Sequence, residues 1–475
     1  MSDALARLRE MQTADLPVHG GRTLAYVYDS GLPDVDQIGR EAVAAYAGSN
    51  GLDPTAFPSL LQMENDLVGF TADLLDAPPE AVGTVTSGGT ESCLLAVQGA
   101  RDSRPDVERP RMVVPSTVHA AFLKAAHYFG VEAVVVPVGP DFRADAAAMV
   151  AAIDEAPERT VLVVVSAPSY AHGVIDPVTP VAAAVAERGI RCHVDGCIGG
   201  WVLPYAARIG RDVPPWTFAV DGVTSISVDT HKYAYAPKGT SVLLHRSPAH
   251  RRPQYFAHAD WPGYTMLNST IQSTKSGGPL AGAWAVVQSL GDAGYERLTR
   301  EVFEAVDRIV AGVAEIPELS LVATPDSTLI GLVTDGTCDA FTICDEMATR
   351  DWYVQPQMSY AGQPPNVHLS VSAATLAHVD EFLSALIESV AAAVAAGPVG
   401  VDPGVAAFIE TLDPASLSDD DFDGLLAASG LVGGGEGLAL PDRMAEVNAM
   451  LDLASPAMRE ALLVAFLDRL ARPNR

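Results

Sequence analysis

A lysine that follows a short apolar run is the residue of this sequence best placed for covalent chemistry. Lys232 lies in residues 227–239, which read SVDTHKYAYAPKG, between the apolar residues 223–228 and a turn at Pro237. An amine at the end of a buried strand is desolvated, so we expect its pKa to fall and the neutral amine to form Schiff bases. An ordinary surface lysine is the alternative. Lysine usage argues against it, because only 4 of the 30 basic residues are lysine and Lys232 and Lys238 share this loop.

A glycine-rich segment could hold a phosphate group. Residues 86–92 read TSGGTES and follow an apolar run that predicts a strand. Gly88 and Gly89 let the backbone close on a ligand, and the start of the following helix offers free N–H groups to an anion. Thr90 can add a hydroxyl donor. The alternative is an ordinary turn followed by a helix cap.

Two more polar residues follow predicted strands. His119, in PSTVHAAFLKAA, could stack on a planar cofactor or could cap the helix after it. Asp195, in HVDG, is a strand-end carboxylate, and a buried charge needs a partner, either a protonated ring nitrogen or an arginine. A phosphate loop, a stacking ring, a carboxylate and a lysine in this order together indicate pyridoxal 5'-phosphate. The ring of this cofactor accepts the electrons of a bond broken at the substrate's α-carbon.

Alternating strands and helices must position these residues. Between residues 82 and 244, short β-branched runs alternate with helical segments, which predicts an α/β fold with a mostly parallel sheet flanked by helices. Ligands bind at the carboxyl ends of the strands in such sheets, and the polar motifs fall at those ends. The predicted strands are 112–114, 133–136, 161–165, 192–194, 225–228 and 241–244.

Four regions are predicted along the chain. They are an N-terminal segment (1–57), a large cofactor-binding domain (58–295), a small α+β C-terminal domain (296–395) and a helical C-terminal extension (396–475).

The pattern within these regions predicts several further elements. The large domain begins with a helix that has Leu60, Met63, Leu67, Phe70 and Leu74 on one face. A long helix is predicted over 280–315, with strands near 319–323, 328–333 and 367–371 and a helix from about 376. The extension holds the acidic run 419–421, the glycines 433–435 and a helix near 456–470.

The composition restricts the partners and the compartment. A formal net charge of -29 and a pI of about 4.6 argue against nucleic acid and anionic membrane partners, which require basic surfaces. No apolar stretch is long enough to span a membrane and no signal peptide is evident, so we expect a cytoplasmic protein. The cysteines, at 93, 192, 197, 338 and 344, indicate reduced thiols, and their spacing predicts no metal site.

The motifs together resemble a known family. The order TSGGTES, STVHAAFLKAAHYFG, SAPSYAHGVIDPV, HVDGCIGGW and DTHKYAYAPKG resembles the group II pyridoxal-phosphate decarboxylase superfamily, and within it the sphingosine-1-phosphate lyases. The likeness covers about residues 20–395. The choice of subgroup rests on His172-Gly173 before Asp176 and on residues 236–239. The resemblance implies the fold-type I architecture of aspartate aminotransferase and a homodimer with shared active sites.

The resemblance assigns roles to the motif residues. Lys232 matches the Schiff-base lysine, Asp195 the partner of the pyridinium nitrogen, and His119 the stacking ring. The residues that match the family's cofactor-binding positions are Gly88, Gly89, Thr90, Thr230, His231 and, in the segment that reaches the neighbouring subunit's cofactor, Gly277. The residues in the places that approach the substrate's phosphate are Tyr28, Asn50, Asp53 and Lys238.

Two positions depart from the family pattern. Asp53 stands where the lyases carry histidine and would repel a phosphate dianion, so it favours a hydroxyl or a cation. The alternative is that Asp53 caps the turn at Pro54 and points away from the substrate. Lys275 stands where the family usually has arginine.

The resemblance leaves three hypotheses for the function. The first is a carbon–carbon lyase that cleaves a small-molecule β-hydroxy amine by retro-aldol chemistry. The alternative is an L-amino-acid decarboxylase on the same cofactor, in which the bond to the carboxylate breaks instead. A catalytically inactive binding protein is a third hypothesis, and the intact Lys232, Asp195 and His119 argue against it.

Overall fold

A seven-stranded sheet forms the centre of the larger domain in the computed structural model, which describes residues 2–418, 420–422, 424 and 442–471. The strands are β1 (Val82–Thr86), β2 (Arg111–Pro115), β3 (Glu132–Val136), β4 (Thr160–Ser166), β5 (Arg191–Asp195), β6 (Val223–Asp229) and β7 (Ser241–His245). Their order is β1-β7-β6-β5-β4-β2-β3, and β7 alone runs antiparallel to its neighbours. The predicted strands and the mostly parallel sheet are confirmed, because continuous apolar runs such as β4 are buried on both faces.

Helices cover the sheet and supply its connections. They are α1 (Ser2–Gln12), α2 (Pro33–Tyr46), α3 (Pro58–Leu74), α4 (Gly89–Asp102), α5 (Ala120–Phe129), α6 (Ala146–Asp154), α7 (Val178–Ala186), α8 (Leu203–Arg208) and α9 (Pro248–Arg251). The prediction for α3 was wrong at one position, since Phe70 is 41% exposed. Thr71, the next residue, is buried instead.

A long helix leads from the large domain to the small one. This helix, α10 (Gly278–Val313), is kinked at Gly291, whose φ of 54° suits glycine. Before it lies a hairpin that the sequence did not predict, β8 (Phe256–His258) and β9 (Met266–Asn268). The antiparallel sheet of the small domain has the order β10-β11-β13-β12. Its elements are β10 (Leu319–Leu321), β11 (Leu329–Thr334), α11 (Ala340–Ala348), β12 (Gln355–Gln357), β13 (Asn366–Ser370) and α12 (Val379–Ala396).

Both ends of the described chain pack on the small domain. The Leu24 N–H donates to the Tyr353 carbonyl (2.8 Å) and the Ser370 N–H to the Leu24 carbonyl (2.7 Å), so the N-terminal segment extends the small sheet. The C-terminal helices are α13 (Pro403–Thr411), α14 (Ala445–Leu453) and α15 (Pro456–Leu470), of which α15 matches its prediction. The Asp345 carboxylate accepts from the Met444 and Ala445 N–H groups, each at 2.9 Å, and so caps α14. Asp419 and the glycines 433–435 lie outside the described residues. None of the described helices is long and apolar enough to span a membrane.

Candidate active site

Five strands of the large sheet end at one cavity of about 410 Å³. Residues that follow β1, β2, β4, β5 and β6 line it, because parallel strands bring their carboxyl ends to the same edge of the sheet. Among the lining residues are Gly88, His119, Tyr170, Asp195 and Lys232. The cavity therefore joins the motifs that the sequence spreads over 145 positions, from 88 to 232.

The glycine-rich loop forms one wall of this cavity. A Cβ at Gly89 would lie 2.7 Å from the Asp229 Oδ1 atom and 2.8 Å from the Cys197 Sγ atom, so only glycine fits here. α4 begins at Gly89 and turns its free N–H groups and the exposed Thr90 toward the cavity. The His231 ring borders Gly88 on the other side. This arrangement suits a phosphate anion.

Lys232 is bound by a neighbouring carboxylate. Its Nζ atom lies 2.8 Å from the Asp229 Oδ2 atom, and its side chain is 20% exposed. The expectation that desolvation lowers the lysine pKa is wrong for this arrangement. Burial acts in that direction, but the Asp229 carboxylate outweighs it and raises the pKa of Lys232 well above its ordinary value.

Asp195 is buried at the end of β5. Its Oδ1 atom accepts from the Cys197 N–H (3.1 Å) and from the Ser227 hydroxyl (3.4 Å). The alternative was that an arginine pairs with Asp195. Among the described residues, the Cys197 N–H and the Ser227 hydroxyl bind the carboxylate instead. The carboxylate lines the cavity and is thus open to a protonated ring nitrogen.

His119 caps α5 and also lines the cavity, so its stacking on a planar cofactor stays a prediction. Its Nδ1 atom accepts from the Ala121 N–H (3.1 Å), which caps α5, and the same ring lines the cavity. A neutral ring that accepts at Nδ1 carries its proton on Nε2. His119 therefore offers an N–H donor and a flat ring to the cavity.

Two residues expected near the substrate, Tyr28 and Lys238, do not line the cavity but interact electrostatically with Lys232. The Lys238 Nζ atom lies 5.0 Å from the centre of the Tyr28 ring and donates to the Tyr26 carbonyl (2.9 Å). Burial, and then the charge of Lys232, lower the pKa of Lys238 to about 8. Burial raises the pKa of Tyr28, so its phenol stays protonated. A cation and a phenol thus act electrostatically on Lys232 from outside the residues that line the cavity.

The other predicted site residues lie elsewhere in the chain. Thr230 does not line the cavity, because its hydroxyl bonds the Thr240 hydroxyl (2.6 Å) and holds the loop. Asn50 accepts from the Leu52 N–H (3.0 Å) in a turn. Gly277 and Asp53 line a second cavity, of about 250 Å³.

Asp53 takes the capping role that was its alternative. Its Oδ1 atom accepts from the N–H (2.8 Å) and the hydroxyl (2.6 Å) of Thr55, and these bonds lower the pKa of Asp53. Within one chain, the expected contact between Asp53 and the substrate of the Lys232 cavity is not formed.

Sequence reasoning missed several lining residues. Asp229 ends β6 and Tyr170 follows β4, so the rule that strand ends carry the chemistry could have found both. The Tyr170 phenol donates to the Gln355 Oε1 atom (2.7 Å), and burial raises its pKa to about 12. Cys93 and Cys197 lie with Asp195 so that one ligand atom of each falls within 4.8 Å of the others, a cluster that sequence spacing could not indicate.

A cavity of about 750 Å³, larger than the one at Lys232, lies away from these strand ends. It is formed by the N-terminal segment, α10 and residues 373–378, and it contains His19, Asp29 and Asp36. Asp29 accepts from the Gly20, Gly21 and Gly31 N–H groups, so it holds the local backbone. Size alone does not identify the reactive site, and the smaller cavity carries the nucleophile.

Comparison with known proteins gives the family. Residues 26–334 match the pyridoxal-dependent decarboxylase conserved domain. The chain belongs to the pyridoxal-dependent decarboxylase family. As predicted, it has the fold-type I architecture and the cofactor of this family, pyridoxal 5'-phosphate, and within the family it resembles the sphingosine-1-phosphate lyases.

The similar proteins are lyases of this kind. The chain is 38% identical over 358 residues to a sphingosine-1-phosphate lyase of Arabidopsis thaliana. These residues are 74% of this chain and 64% of the relative. It is 35% identical to that of Dictyostelium discoideum, over 82% of this chain and 71% of the relative. A solved sphingosine-1-phosphate lyase of Burkholderia pseudomallei has a TM-score of 0.78 and 34% identity, and covers 83% of this chain and 91% of that one.

The C-terminal extension matches a second family profile. Residues 403–469 match a region described as a putative HTH domain at the C-terminus of pyridoxal-dependent enzymes. The chain thus spans about two thirds of the Arabidopsis relative and carries, in addition, a segment with a family match of its own.

The cavity fits the cofactor of this family. Gly88, Gly89, Thr90 and His231 would hold its phosphate, Asp195 its ring nitrogen, His119 its ring face and Lys232 its aldehyde. When bound, pyridoxal 5'-phosphate takes up the electrons of a bond broken at the substrate's α-carbon.

Proposed function

We propose that this enzyme is a carbon–carbon lyase that cleaves a β-hydroxy amine with an anionic head group, such as a phosphate. The observation that carries the proposal is Lys238, whose ammonium lies over the Tyr28 ring and close enough to Lys232 for the two charges to interact. A cation on this side of the nucleophile would attract an anion on the substrate. The similarity to sphingosine-1-phosphate lyases agrees with a phosphorylated substrate.

The residues of the cavity have separable tasks in this proposal. Lys232 binds the cofactor covalently. When the substrate amine displaces Lys232 from the cofactor, the freed lysine amine takes up a proton. His119 donates from Nε2 and covers one ring face, while Asp195 keeps a proton on the ring nitrogen. Tyr170 is kept protonated by its raised pKa and is oriented by Gln355, so it can donate to a substrate hydroxyl.

The substrate proposal is tested by the products. The purified holoenzyme is incubated with a phosphorylated β-hydroxy amine, with its unphosphorylated form and with a panel of L-amino acids, and aldehyde and carbon dioxide are measured separately. We expect aldehyde from the phosphorylated amine. Carbon dioxide from an amino acid, without aldehyde, would instead support the decarboxylase alternative.

A pair of variants assigns the head-group contact. Lys238→Met should raise KM for the phosphorylated amine by at least about tenfold, while Lys238→Arg keeps the charge and much of the affinity. The unphosphorylated amine should respond little to either change. An equal loss for both amines would contradict the proposed phosphate contact.

We also propose that the enzyme is a homodimer whose second cavity, with Lys275 and Gly277, faces the cofactor site of the neighbouring subunit. Support comes from the resemblance of residues 275–278 to a segment that crosses to the neighbour, and from the separation of Gly277 from the Lys232 cavity within one chain. Asn50 and Asp53 are adjacent to this segment, since the Gly51 N–H donates to the Lys275 carbonyl (2.8 Å). Sedimentation analysis of the purified protein tests the oligomeric state, and a monomer would contradict it.

The compartment and the absence of nucleic acid partners stay predictions. Five buried, unpaired cysteines support a reducing compartment such as the cytoplasm, which fractionation of the source cells would test. Residues 403–469 contain twelve acidic and three basic residues, a formal charge of -9, which opposes binding to a phosphate backbone. Retention of labelled duplex DNA by the full chain would contradict the second prediction.

A further inference from the structure

Asp229 is a second buried carboxylate of the cavity with no assigned role. It ends β6, is 3% exposed, and holds the Lys232 Nζ atom at 2.8 Å through Oδ2. Its Oδ1 atom is buried beneath Gly89 and has no hydrogen-bond partner among the described residues. A buried carboxylate with one unpaired oxygen is costly, so the fold must retain it for a reason other than packing.

We propose that Asp229 is the counterion that keeps the Lys232 nitrogen protonated, both in the free lysine and in its bond to the cofactor aldehyde. The charge balance agrees with this role. A lysine ammonium and an aldehyde condense overall to a protonated carbon–nitrogen double bond and one water, so the nitrogen carries a positive charge before and after the reaction. Asp229 can therefore remain its partner. The proposal holds for any substrate of this enzyme.

The other groups around Lys232 cannot take this role. Raised pKa values keep Tyr28, Tyr170 and Cys197 protonated and neutral near pH 7, and burial lowers the pKa of His231. Lys238 carries the same charge as the nitrogen and opposes its protonation. Asp195 accepts from Cys197 and faces the ring-nitrogen position. Cys93 also lies in this cavity, and its pKa is raised, so it too stays neutral. The groups around Lys232 are therefore Tyr28, Cys93, Tyr170, Asp195, Cys197, His231 and Lys238.

The phosphate loop adds a constraint on this charge. Asp229 lies directly under Gly89, where the cofactor phosphate would bind, so its own negative charge would repel the phosphate unless a cation neutralises it. The Lys232 nitrogen is the nearest cation, and the His231 Nε2 atom lies 3.8 Å from the same carboxylate. A protonated nitrogen at Lys232 thus neutralises Asp229, and this lowers the repulsion between Asp229 and the cofactor phosphate.

The visible absorbance of the cofactor-loaded protein tests the proposal. This absorbance changes when the nitrogen that joins Lys232 to the cofactor loses its proton, so a pH titration gives a midpoint. We expect Asp229→Asn to lower the midpoint by about one to three pH units and Asp229→Glu to keep it within about half a unit of the wild type. Asp345→Asn, a buried change at the α14 cap, is the matched control and should not move the midpoint. An unchanged midpoint in Asp229→Asn would overturn the proposal.

A second measurement applies if Asp229→Asn does not retain the cofactor. Protein stripped of cofactor is treated with pyridoxal, which has the aldehyde but no phosphate, and the lysine adduct is trapped by borohydride and counted by mass spectrometry. Because only the neutral amine attacks, the adduct should form at least about tenfold faster near pH 7 in Asp229→Asn than in the wild type. Equal rates and equal pH dependence in the two proteins would overturn the proposal.

Discussion

At the scale of single residues, Lys238 gives the enzyme a measurable pH dependence. Its pKa of about 8 means that the ammonium is present below this pH and is lost as pH rises through it. The second pKa of a phosphate group is about 6, so the charge of the substrate's phosphate does not change near pH 8. We expect kcat/KM for a phosphorylated amine to fall above about pH 8. Lys238→Arg should keep the plateau to higher pH, and an identical fall in Lys238→Arg would exclude Lys238 as its cause.

Asp53 tests whether a departure from the family pattern affects the substrate. Because Thr55 already occupies its carboxylate, we expect Asp53→His to change kcat/KM for a phosphorylated amine by less than about threefold. The same change should lower thermal stability, since the turn loses its cap. Asp53→Asn is the control that keeps the cap and removes the charge. A gain of tenfold or more in Asp53→His would show that Asp53 faces the head group across the dimer.

Asp195 should be essential for turnover but not for folding. Asn keeps the acceptor for the Cys197 N–H but no longer favours a proton on the ring nitrogen. We expect Asp195→Asn to lower kcat by at least about tenfold with an unchanged circular dichroism spectrum. Near-normal turnover would mean that another acid holds that proton.

The sequence predicted the positions of the candidate residues better than their electrostatics. Lys232, Asp195 and His119 line one cavity because each lies at the end of a recognisable strand, and their chemical roles stay predictions. The direction of the Lys232 pKa was wrong, because Asp229 and Lys232 are three residues apart at a strand end and only the turn between them brings their side chains to 2.8 Å. For Asp53, residue type alone could not decide between a turn cap and a substrate contact.

At the scale of elements, the contact between the phosphate loop and β6 explains the glycine at position 89. We expect Gly89→Ala to weaken cofactor binding by at least about tenfold, because its methyl group would collide with Asp229 and Cys197. The matched control is Gly69→Ala in α3, where a methyl group meets nothing within 4 Å. There the change should stabilise the protein by about 0.5–1 kcal/mol. Cofactor titration measures the affinity and thermal unfolding measures the stability of each variant. Normal cofactor affinity in Gly89→Ala would contradict the proposed contact between the phosphate loop and β6.

The elements of the large sheet were predictable, whereas those at its margins were not. Buried parallel strands such as β4 are continuous apolar runs, so their type and bounds follow from the sequence. β12 is a short polar strand, QPQ, that is recognised as a strand only by its pairing with β13. This matters for the site, because β12 carries Gln355, the partner of Tyr170.

At the scale of the whole molecule, the separation of the Lys232 cavity from the cavity at Lys275 and Gly277 predicts that two subunits complete each active site. Ser276 is exposed next to Gly277, and in a dimer Ser276→Asp would place a carboxylate near the neighbouring cofactor phosphate. We expect Ser276→Asp to lose at least about tenfold in cofactor affinity. Lys232→Ala should lose the covalent cofactor and its absorbance altogether.

Mixing these two inactive subunits gives the decisive measurement. In a mixed dimer, one site combines the intact Lys232 of the Ser276→Asp chain with the intact loop of the Lys232→Ala chain, and the other site carries both defects. If subunits are unfolded and reassembled at random from equal amounts, half of the dimers are mixed, so about a quarter of the wild-type sites should be active. If the loop of residues 275–278 instead served its own chain, no site in the mixture would be intact and no activity would return.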